Sequence, residues 1–455
     1  MKYSINENNE RFLKVFEGRS EYNSLSGSKQ EFKEGKLSND SKIRIKLIKD
    51  AFEDGFLEKI ILDLKDRKVK ISIDNLKQDV IDNIRILVDS ITSEVGRALV
   101  ALSVMQLSIK SIAPQQNIRL HKGSVNKNSF SWINGISMRV LDKNYVTPVL
   151  RKYNLLRLNA DGFMMTRSLA ENYPYTKLYK ARLRGAREQW LNIVDILENG
   201  DSSPLIALQY LISLLLNQAS DFDEKCSALI NHKDSFLNKE PDEYEIKNII
   251  TKHIERSDYA ARLMEVAMHS LMQAIIETGS LTDLELKPLS QMRSANKKHG
   301  NVGDIELLEN NEIVEAWDAK YGKNYLRDEI DEVSEKLELH EKIETVGFVI
   351  TATPSRNDEI NKKINDVYQL YGLNIKILSF DDWVAFNFDR VVESGLSSKQ
   401  ALAYRWLSAY TESLAQKRRE IAPIDEPCFE WVTSLINCIE TTQQENAGDA
   451  KKPRP

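Results

Sequence analysis

Apolar residues recur at three- and four-residue steps along much of the first 280 residues, a spacing that places them on one face of a helix. The clearest runs are residues 80–112 and 203–280. Residues 1–50 are polar with weak periodicity, and we expect part of them to be flexible. The longest apolar stretch, residues 204–216, is too short to cross a bilayer, so it predicts a buried helix.

From about residue 288 the pattern changes to short apolar strands that alternate with helices. Residues 346–351 and 375–380 predict buried strands. Residues 357–371 between them predict a helix that ends at Gly372. The sequence therefore predicts an α/β core in the second half of the chain, after a large and mainly helical N-terminal region.

Composition narrows the class of protein only slightly. The 455 residues are 42% hydrophobic and 29% charged, an ordinary globular balance for two or three domains. The formal net charge of −5 means that a nucleic-acid partner would have to meet a local basic surface. The three cysteines have no zinc spacing, and the N-terminus lacks a secretion signal, so we expect reduced thiols in a cytoplasmic protein.

One region, residues 130–190, is strongly basic inside this acidic chain. It holds eleven cationic and four acidic side chains, a balance of +7, with aromatic residues between them. The cations are Arg139, Lys143, Arg151, Lys152, Arg157, Arg167, Lys177, Lys180, Arg182, Arg184 and Arg187. They are candidate contacts to DNA phosphates and base edges. The alternative is a solvated basic face whose aromatic residues serve the core.

The order of elements within this basic region adds to the DNA-binding hypothesis. Residues 144–153 suit a short helix, and residues 155–158 and 163–166 flank Ala160-Asp161-Gly162, which is typical of a hairpin turn. A helix followed by a basic hairpin resembles a winged helix-turn-helix. The resemblance implies that the helix enters the major groove and that the hairpin touches the DNA backbone.

The most informative segment is residues 303–323, GDIELLENNEIVEAWDAKYGK. Asp304 opens a predicted strand at 305–308, a turn follows at 309–311, and a second strand at 313–320 carries Asp318 and Lys320. Side chains alternate along a strand, so Asp318 and Lys320 point the same way. If the two strands pair as a hairpin, Asp304 lies beside Asp318.

Acidic and basic side chains at this spacing suit the hydrolysis of a phosphodiester. Adjacent carboxylates of Asp304 and Asp318 would bind Mg²⁺, with Glu306 as a supplementary metal ligand on the same face. The metal can activate a bound water, and Lys320 can orient that water and stabilise the phosphorane. The alternative is a surface hairpin whose charges are merely solvated.

These residues resemble the PD-(D/E)xK nuclease superfamily, especially its type II restriction endonucleases. Asp304 matches the first acid, and Asp318-Ala319-Lys320 matches the second motif, in a resemblance that covers roughly residues 270–390. It implies catalytic roles for Asp304, Asp318 and Lys320, a mixed central sheet flanked by helices, and a Mg²⁺ cofactor. It also implies site-specific cleavage of double-stranded DNA by a homodimer, because two centres are needed to cut both strands.

The segment departs from the superfamily pattern in two places. Gly303 stands where proline is common, and the second acid is aspartate, which leaves Glu315 as a rival to Asp318. Glu315 would face away from Lys320 in a regular strand, so we prefer Asp318. The superfamily often adds an acid from the preceding helix, and three candidates stay open: Glu277, Asp283 and Glu285.

We accordingly divide the chain into five regions: 1–128, helical; 129–200, basic and DNA-recognising; 201–280, helical and connecting; 281–440, catalytic; and 441–455, a disordered tail. No G-x-x-x-x-G-K-[ST] motif is present, so no nucleotide cofactor is expected. Two other functions remain open. One is a repair, transposition or phage-defence nuclease on the same core, and the other is a DNA-binding regulator without enzymatic activity.

Overall fold

A computed structural model describes residues 3–7, 11–24, 29–91, 94–124, 129–165, 167–183, 185–281, 283–289, 301–340, 342–417 and 427–449. The chain divides into two compact units, unit 1 (Met1–Asp221) and unit 2 (Phe222–Pro455). Within the described ranges, no helix combines the length and the apolar character needed to cross a bilayer.

Unit 1 begins with an antiparallel sheet whose strands pair in chain order. The strands are β1 (Tyr3–Glu7), β2 (Arg11–Val15), β3 (Arg19–Asn23) and β4 (Lys29–Lys33). Leu13, Val15, Tyr22 and Phe32 are buried along one face. The interpretation of residues 1–128 as helical missed this sheet. Its strands contain few apolar residues among many charged ones, so no strand pattern was evident.

The rest of unit 1 is helical, as predicted. Its helices are α1 (Asn39–Glu53), α2 (Phe56–Lys65), α3 (Gln78–Asp89), α4 (Glu94–Ile112), α5 (Met138–Leu141), α6 (Thr147–Lys152) and α7 (Arg187–Asn199). Residues 99–110 of α4 are buried throughout, so this helix forms the centre of the unit. The next helix, α8 (Pro204–Leu237), contains the apolar stretch predicted at 204–216 and buries Leu208, Leu211 and Leu215.

The predicted basic hairpin is wrong. Residues 155–158 form no strand, and Phe163–Met165 is a turn of 3-10 helix; residue 166 lies outside the described part. The buried Asp142 carboxylate holds this segment by accepting hydrogen bonds from Thr147 Oγ1 (2.5 Å) and from Met164 N (2.7 Å). Gly162 has φ +97°, and a Cβ there would lie 2.4 Å from Asp142 Oδ2. Gly162 therefore packs against the Asp142 carboxylate where a hairpin strand was expected, and the winged-helix resemblance fails.

Unit 2 contains a mixed sheet with strand order β5-β6-β7-β8-β9. The strands are β5 (Glu285–Leu286), β6 (Ile305–Glu309), β7 (Glu312–Lys320), β8 (Thr345–Ile350) and β9 (Ile375–Ser379). The β5–β6 and β6–β7 pairs are antiparallel, whereas β7–β8 and β8–β9 are parallel. The predicted mixed α/β architecture is therefore present.

Helices cover both faces of this sheet. They are α9 (Glu243–Arg256), α10 (Ala260–Glu277), α11 (Arg327–Leu337), α12 (Asn357–Tyr371), α13 (Phe380–Glu393), α14 (Lys399–Glu412) and α15 (Cys428–Asp449). Trp317 and Ile305 pack on the side of α10, α13 and α14. Ala316 and Phe348 pack on the side of α11 and α12. Residues 441–449 continue α15, where a disordered tail was expected.

Candidate active site

The hairpin of β6 and β7 brings the first two predicted acids together. Asn310 and Asn311 both have positive φ, +51° and +67°, which is the geometry of a tight hairpin turn. Ile305 pairs with Trp317, so Asp304, one residue earlier, lies opposite Asp318. The backbone N–H of Ala319 donates to Asp304 Oδ2 at 3.0 Å. This bond fixes one carboxylate oxygen of Asp304 against the end of β7.

Lys320 completes the group on the same face of β7. Its ammonium Nζ lies 2.8 Å from Asp318 Oδ2 and 2.8 Å from Glu329 Oε2. Glu329 is on the first turn of α11, and it also pairs with Lys323 at 3.0 Å. The Lys320 side chain is only 9% exposed, so these two carboxylates hold its ammonium in one place. The sequence analysis missed Glu329, although it predicted the helix that carries it.

Burial and like charge make this site electrostatically strained. Burial, and then the charge of Glu265, raise the pKa of Asp304 above its ordinary value. Burial and the neighbouring Asp304 carboxylate raise the pKa of Asp318 well above its usual range. Burial alone would lower the pKa of Lys320, but Asp318 and Glu329 raise it above the ordinary value for lysine. A cation beside these buried carboxylates would offset the cost of their negative charge.

One acid on the preceding helix, Glu265, acts on the site, and it is not among the three candidates that the sequence left open. It lies on α10, which packs against β6 and β7, and its charge acts on Asp304. The three earlier candidates, Glu277, Asp283 and Glu285, are all exposed. Glu265 is an acidic residue within the apolar run of α10, and that interruption was the signal that could have indicated it. Arg262, one turn earlier, pairs with Glu265.

The Glu306 carboxylate already accepts hydrogen bonds and forms an ion pair, so this geometry does not support the prediction that it is a supplementary metal ligand. Its Oε1 accepts the backbone N–H groups of Val302 and Gly303, and its Oε2 lies 2.6 Å from Lys287 Nζ. It is 2% exposed. Glu306 therefore anchors the loop before β6. Its side chain shares a face with Asp304, but the loop folds back over it.

The rival Glu315 faces the opposite side of β7. Its carboxylate accepts Trp317 Nε1 at 2.7 Å and pairs with Arg390 Nη1 at 2.9 Å. The alternation of side chains along β7 thus separates Glu315 from Lys320, as expected. Asp318 is the acid that shares the site with Lys320.

Close packing explains why residue 303 is glycine where the superfamily commonly has proline. A Cβ at this position would lie 2.7 Å from the carbonyl oxygen of Trp317, closer than such contacts occur. The backbone of residue 303 therefore approaches β7 more closely than any residue with a side chain permits. This approach brings the following residue, Asp304, against the end of β7.

The oxygen donors that converge at this site are the carboxylates of Asp304 and Asp318. Within the part of the chain that the structure describes, no three His, Cys, Asp or Glu side chains are grouped so as to hold a metal ion. Mg²⁺ commonly takes one or two carboxylates and completes its shell with waters and phosphate oxygens. Asp304 and Asp318 can supply those carboxylates, and Glu265 adds negative charge beside them.

The predicted DNA-binding cations of unit 1 fall into two groups. Several are held by internal contacts: Arg151 with Leu158 O (2.6 Å), Lys152 with Glu58 (2.5 Å), Lys177 with Asp195 (4.0 Å), and Arg187 with Tyr179 O (2.7 Å). Arg139, Lys143, Arg167, Lys180 and Arg182 are exposed, as Arg151 and Lys152 also are, and Arg139 and Lys180 make longer internal contacts, with Met164 O (3.4 Å) and with Tyr173 Oη (3.5 Å). Arg157 is half-buried, and Arg184 lies outside the described residues.

Comparisons with known proteins give no further guide to the site. The sequence matches no protein-family model and no curated protein. The resemblance to PD-(D/E)xK nucleases therefore stands on Asp304, Asp318 and Lys320 and on their placement at the end of β7. Its functional implications are proposals.

Proposed function

We propose that this chain is a Mg²⁺-dependent endonuclease that hydrolyses phosphodiester bonds of double-stranded DNA at defined sequences. The observation that carries the proposal is the convergence of Asp304, Asp318 and Lys320 on neighbouring strands of a mixed sheet. The raised pKa values support it, because a divalent ion would offset the burial of both carboxylates and the negative charges that act on them, Glu265 on Asp304 and Asp304 on Asp318.

Each side chain has a role that follows from its position. Asp304 and Asp318 would hold the metal, with one Asp304 oxygen already fixed by Ala319 N. A bound Mg²⁺ would supply an activated water and neutralise charge on the phosphate. Lys320 would orient the attacking water and stabilise the developing charge. Glu329 would act as a positioning residue, since its carboxylate holds the Lys320 ammonium at 2.8 Å.

Recognition and assembly are further parts of the proposal. The exposed cations of unit 1, Arg139, Lys143, Arg167, Lys180 and Arg182, would contact DNA phosphates. A homodimer would supply the two centres needed to cut both strands. Both parts can fail without affecting the assignment of the catalytic group.

The test is digestion of a long unmodified DNA with Mg²⁺, followed by sequencing of the ends. We expect cleavage at a defined sequence, and loss of cleavage in Asp304→Ala, Asp318→Ala and Lys320→Ala without unfolding. Asp366→Ala, at an exposed acid on α12, is the matched control and should cut normally. Full activity in all three site variants would refute the assignment.

The same experiment separates the competing functions. Cleavage without a preferred sequence would favour a repair, transposition or phage-defence nuclease on the same core. DNA binding that is indifferent to Mg²⁺, with no cutting, would favour a regulator without enzymatic activity.

A further inference from the structure

Unit 1 carries a surface of cations and aromatic rings that lies apart from the proposed nuclease site. Lys122 O accepts the backbone N–H of Trp132 at 3.1 Å. Three residues earlier, Arg119 O accepts the backbone N–H of Tyr175 at 2.9 Å. These bonds bring residues 130–132 and 173–175 beside residues 119–122. The side chains of this surface, which we call the Lys122 surface, are Lys122, Phe130, Arg139, Asn172, Tyr173 and Lys180.

Two half-buried aromatic rings belong to the Lys122 surface. Phe130 and Tyr173 pack against the buried cluster that includes Trp132, and Phe130 meets the Trp132 ring edge-on at 5.1 Å. Lys122 Nζ lies 5.8 Å from the centre of the Phe130 ring. Lys180 Nζ lies 5.3 Å from the centre of the Tyr173 ring. An ammonium group over each ring means that a polar group can reach a face of each. The rings are therefore held by the core and still open to a ligand.

Two cations of the Lys122 surface make contacts only with uncharged groups. Within the described residues, neither Lys122 nor Arg139 forms an ion pair. Lys122 Nζ donates to the side-chain oxygen of Asn172, and Arg139 Nη2 donates to Met164 O at 3.4 Å. The pKa of Lys122 is lowered by burial and then by the charge of Arg139. The two cations thus lie close enough to disfavour each other's charge.

The acids that act on these cations from a greater distance do not cancel their charge. Glu171 acts on Lys122, and Asp142 interacts with Arg139. Asp142 is 1% exposed, so it cannot itself meet a ligand. When Lys180 is included, three cations stand against two acids, a balance of +1. The Lys122 surface therefore favours an anionic ligand.

An unpaired nucleotide combines the two features that such a surface can bind. Its base has an open face that stacks on an aromatic ring, and its phosphate is attracted by a nearby cation. In a duplex the base faces are stacked on one another, so the rings of Phe130 and Tyr173 would gain no stacking contact there. We propose that the Lys122 surface binds single-stranded DNA, with bases on its two rings and phosphates at its three cations.

The proposal goes beyond the proposed function, which concerns cleavage of duplex DNA in unit 2. It rests on that function only for the choice of DNA as the nucleic acid. Arg139 and Lys180 are common to both proposals, whereas Lys122 and the two rings are new. The Lys122 surface lies in unit 1 and Asp304 lies in unit 2, so each proposal can fail alone.

The test is fluorescence anisotropy of a short labelled oligo(dT) with the full chain in EDTA, compared with a duplex of equal length. Phe130→Leu keeps an apolar contact with the core and removes the stacking face, so it should weaken oligo(dT) binding about tenfold without changing the salt dependence. Lys122→Gln should weaken binding and lower the slope against salt by about 0.7, the value for one phosphate contact to a single strand. Tyr244→Leu, in unit 2 with Lys247 Nζ 5.7 Å from the tyrosine ring, is the matched control and should bind normally.

Tighter binding of oligo(dT) than of the duplex, with these two different variant patterns, supports the proposal. Tighter binding of the duplex overturns it, as does an affinity for oligo(dT) that either variant leaves unchanged. Lys122→Gln keeps a polar side chain and therefore tests the proposal even if Phe130→Leu does not fold. Asp304→Ala should bind oligo(dT) as wild type does, and its DNA cleavage, measured separately in Mg²⁺, tests the nuclease proposal alone.

Discussion

Asp304→Asn should abolish cleavage and yet stabilise the metal-free protein. The asparagine Oδ1 can still accept the Ala319 N–H, while its amide can donate to Asp318, so the hydrogen bonds are kept. The substitution removes a buried negative charge whose pKa is raised by burial and by Glu265. It also removes the like-charge contact with Asp318.

The size of this effect follows from the balance of charges. Two unit charges about 4 Å apart in surroundings with an effective dielectric constant of about 20 repel each other by about 4 kcal/mol. Attraction to Lys320 and proton uptake by the two acids offset part of this repulsion. We therefore expect the free energy of unfolding of Asp304→Asn to exceed that of wild type by about 1–2 kcal/mol near pH 8. Each kcal/mol should raise Tm by about 2–4 °C.

The stability difference between Asp304→Asn and wild type should depend on pH. The folded-state pKa values of Asp304 and Asp318 lie above the unfolded value of 3.8. Their contribution to the free energy of unfolding is therefore most favourable in acid, and it is lost as pH rises through the folded-state values. The advantage of Asp304→Asn should thus be larger at pH 8 than at pH 5.5. Saturating Mg²⁺, at about 100 times its Kd, should stabilise wild type by about 2.7 kcal/mol and the variant much less.

The assay is thermal unfolding in EDTA and in Mg²⁺ at both pH values, followed for wild type, Asp304→Asn and the exposed control Asp366→Asn. We expect the order of wild type and Asp304→Asn to reverse when Mg²⁺ is added, with the control unchanged. A variant that is less stable than wild type in EDTA, or that gains as much from Mg²⁺, would refute the reasoning.

Three other predictions concern separate parts of the chain. Glu329→Gln should lower kcat of cleavage about tenfold with little change in KM, because it loosens Lys320; an unchanged kcat would contradict this. Burial raises the pKa of Asp142 to about 6, so the folded protein loses stability as pH rises from 3.8 to 6. Asp142→Asn should therefore be more stable than wild type at pH 7.5, by up to about 3 kcal/mol in urea unfolding. It should have no such advantage at pH 3.5. Neutralising Arg167, Lys180 and Arg182 together should weaken DNA binding and flatten its salt dependence by about 0.9 per lost phosphate contact, and an unchanged slope would count against this surface.

The local spacing of apolar and polar residues was sufficient to predict strands and helices of unit 2 that bury one face. Alternation along β7 put Asp318 and Lys320 together and Glu315 on the other side, and the structure has this arrangement. The helix predicted at 357–371 matches α12, since Gly372 ends it with φ +69°. Each of these features depends on neighbours within a few residues.

Features that depend on distant contacts could not be predicted in the same way. The charge of Glu265 acts on Asp304 because α10 packs against β6 and β7, a tertiary contact that local spacing does not indicate. The loop at Gly162 looks like a hairpin in sequence, but the buried Asp142 carboxylate, twenty residues away, closes it instead. In the N-terminal sheet, a few apolar positions such as Leu13 are buried against later segments, including Trp132.

The central claim is that the Asp304 and Asp318 carboxylates share one divalent ion. Anomalous diffraction from crystals soaked in Mn²⁺, a substitute for Mg²⁺, measures this directly. We expect one strong peak with oxygens of both carboxylates about 2.1 Å away, and no such peak in Asp304→Asn. Absence of Mn²⁺ between the two carboxylates in the wild-type protein, or an ion bound only elsewhere, would contradict the account.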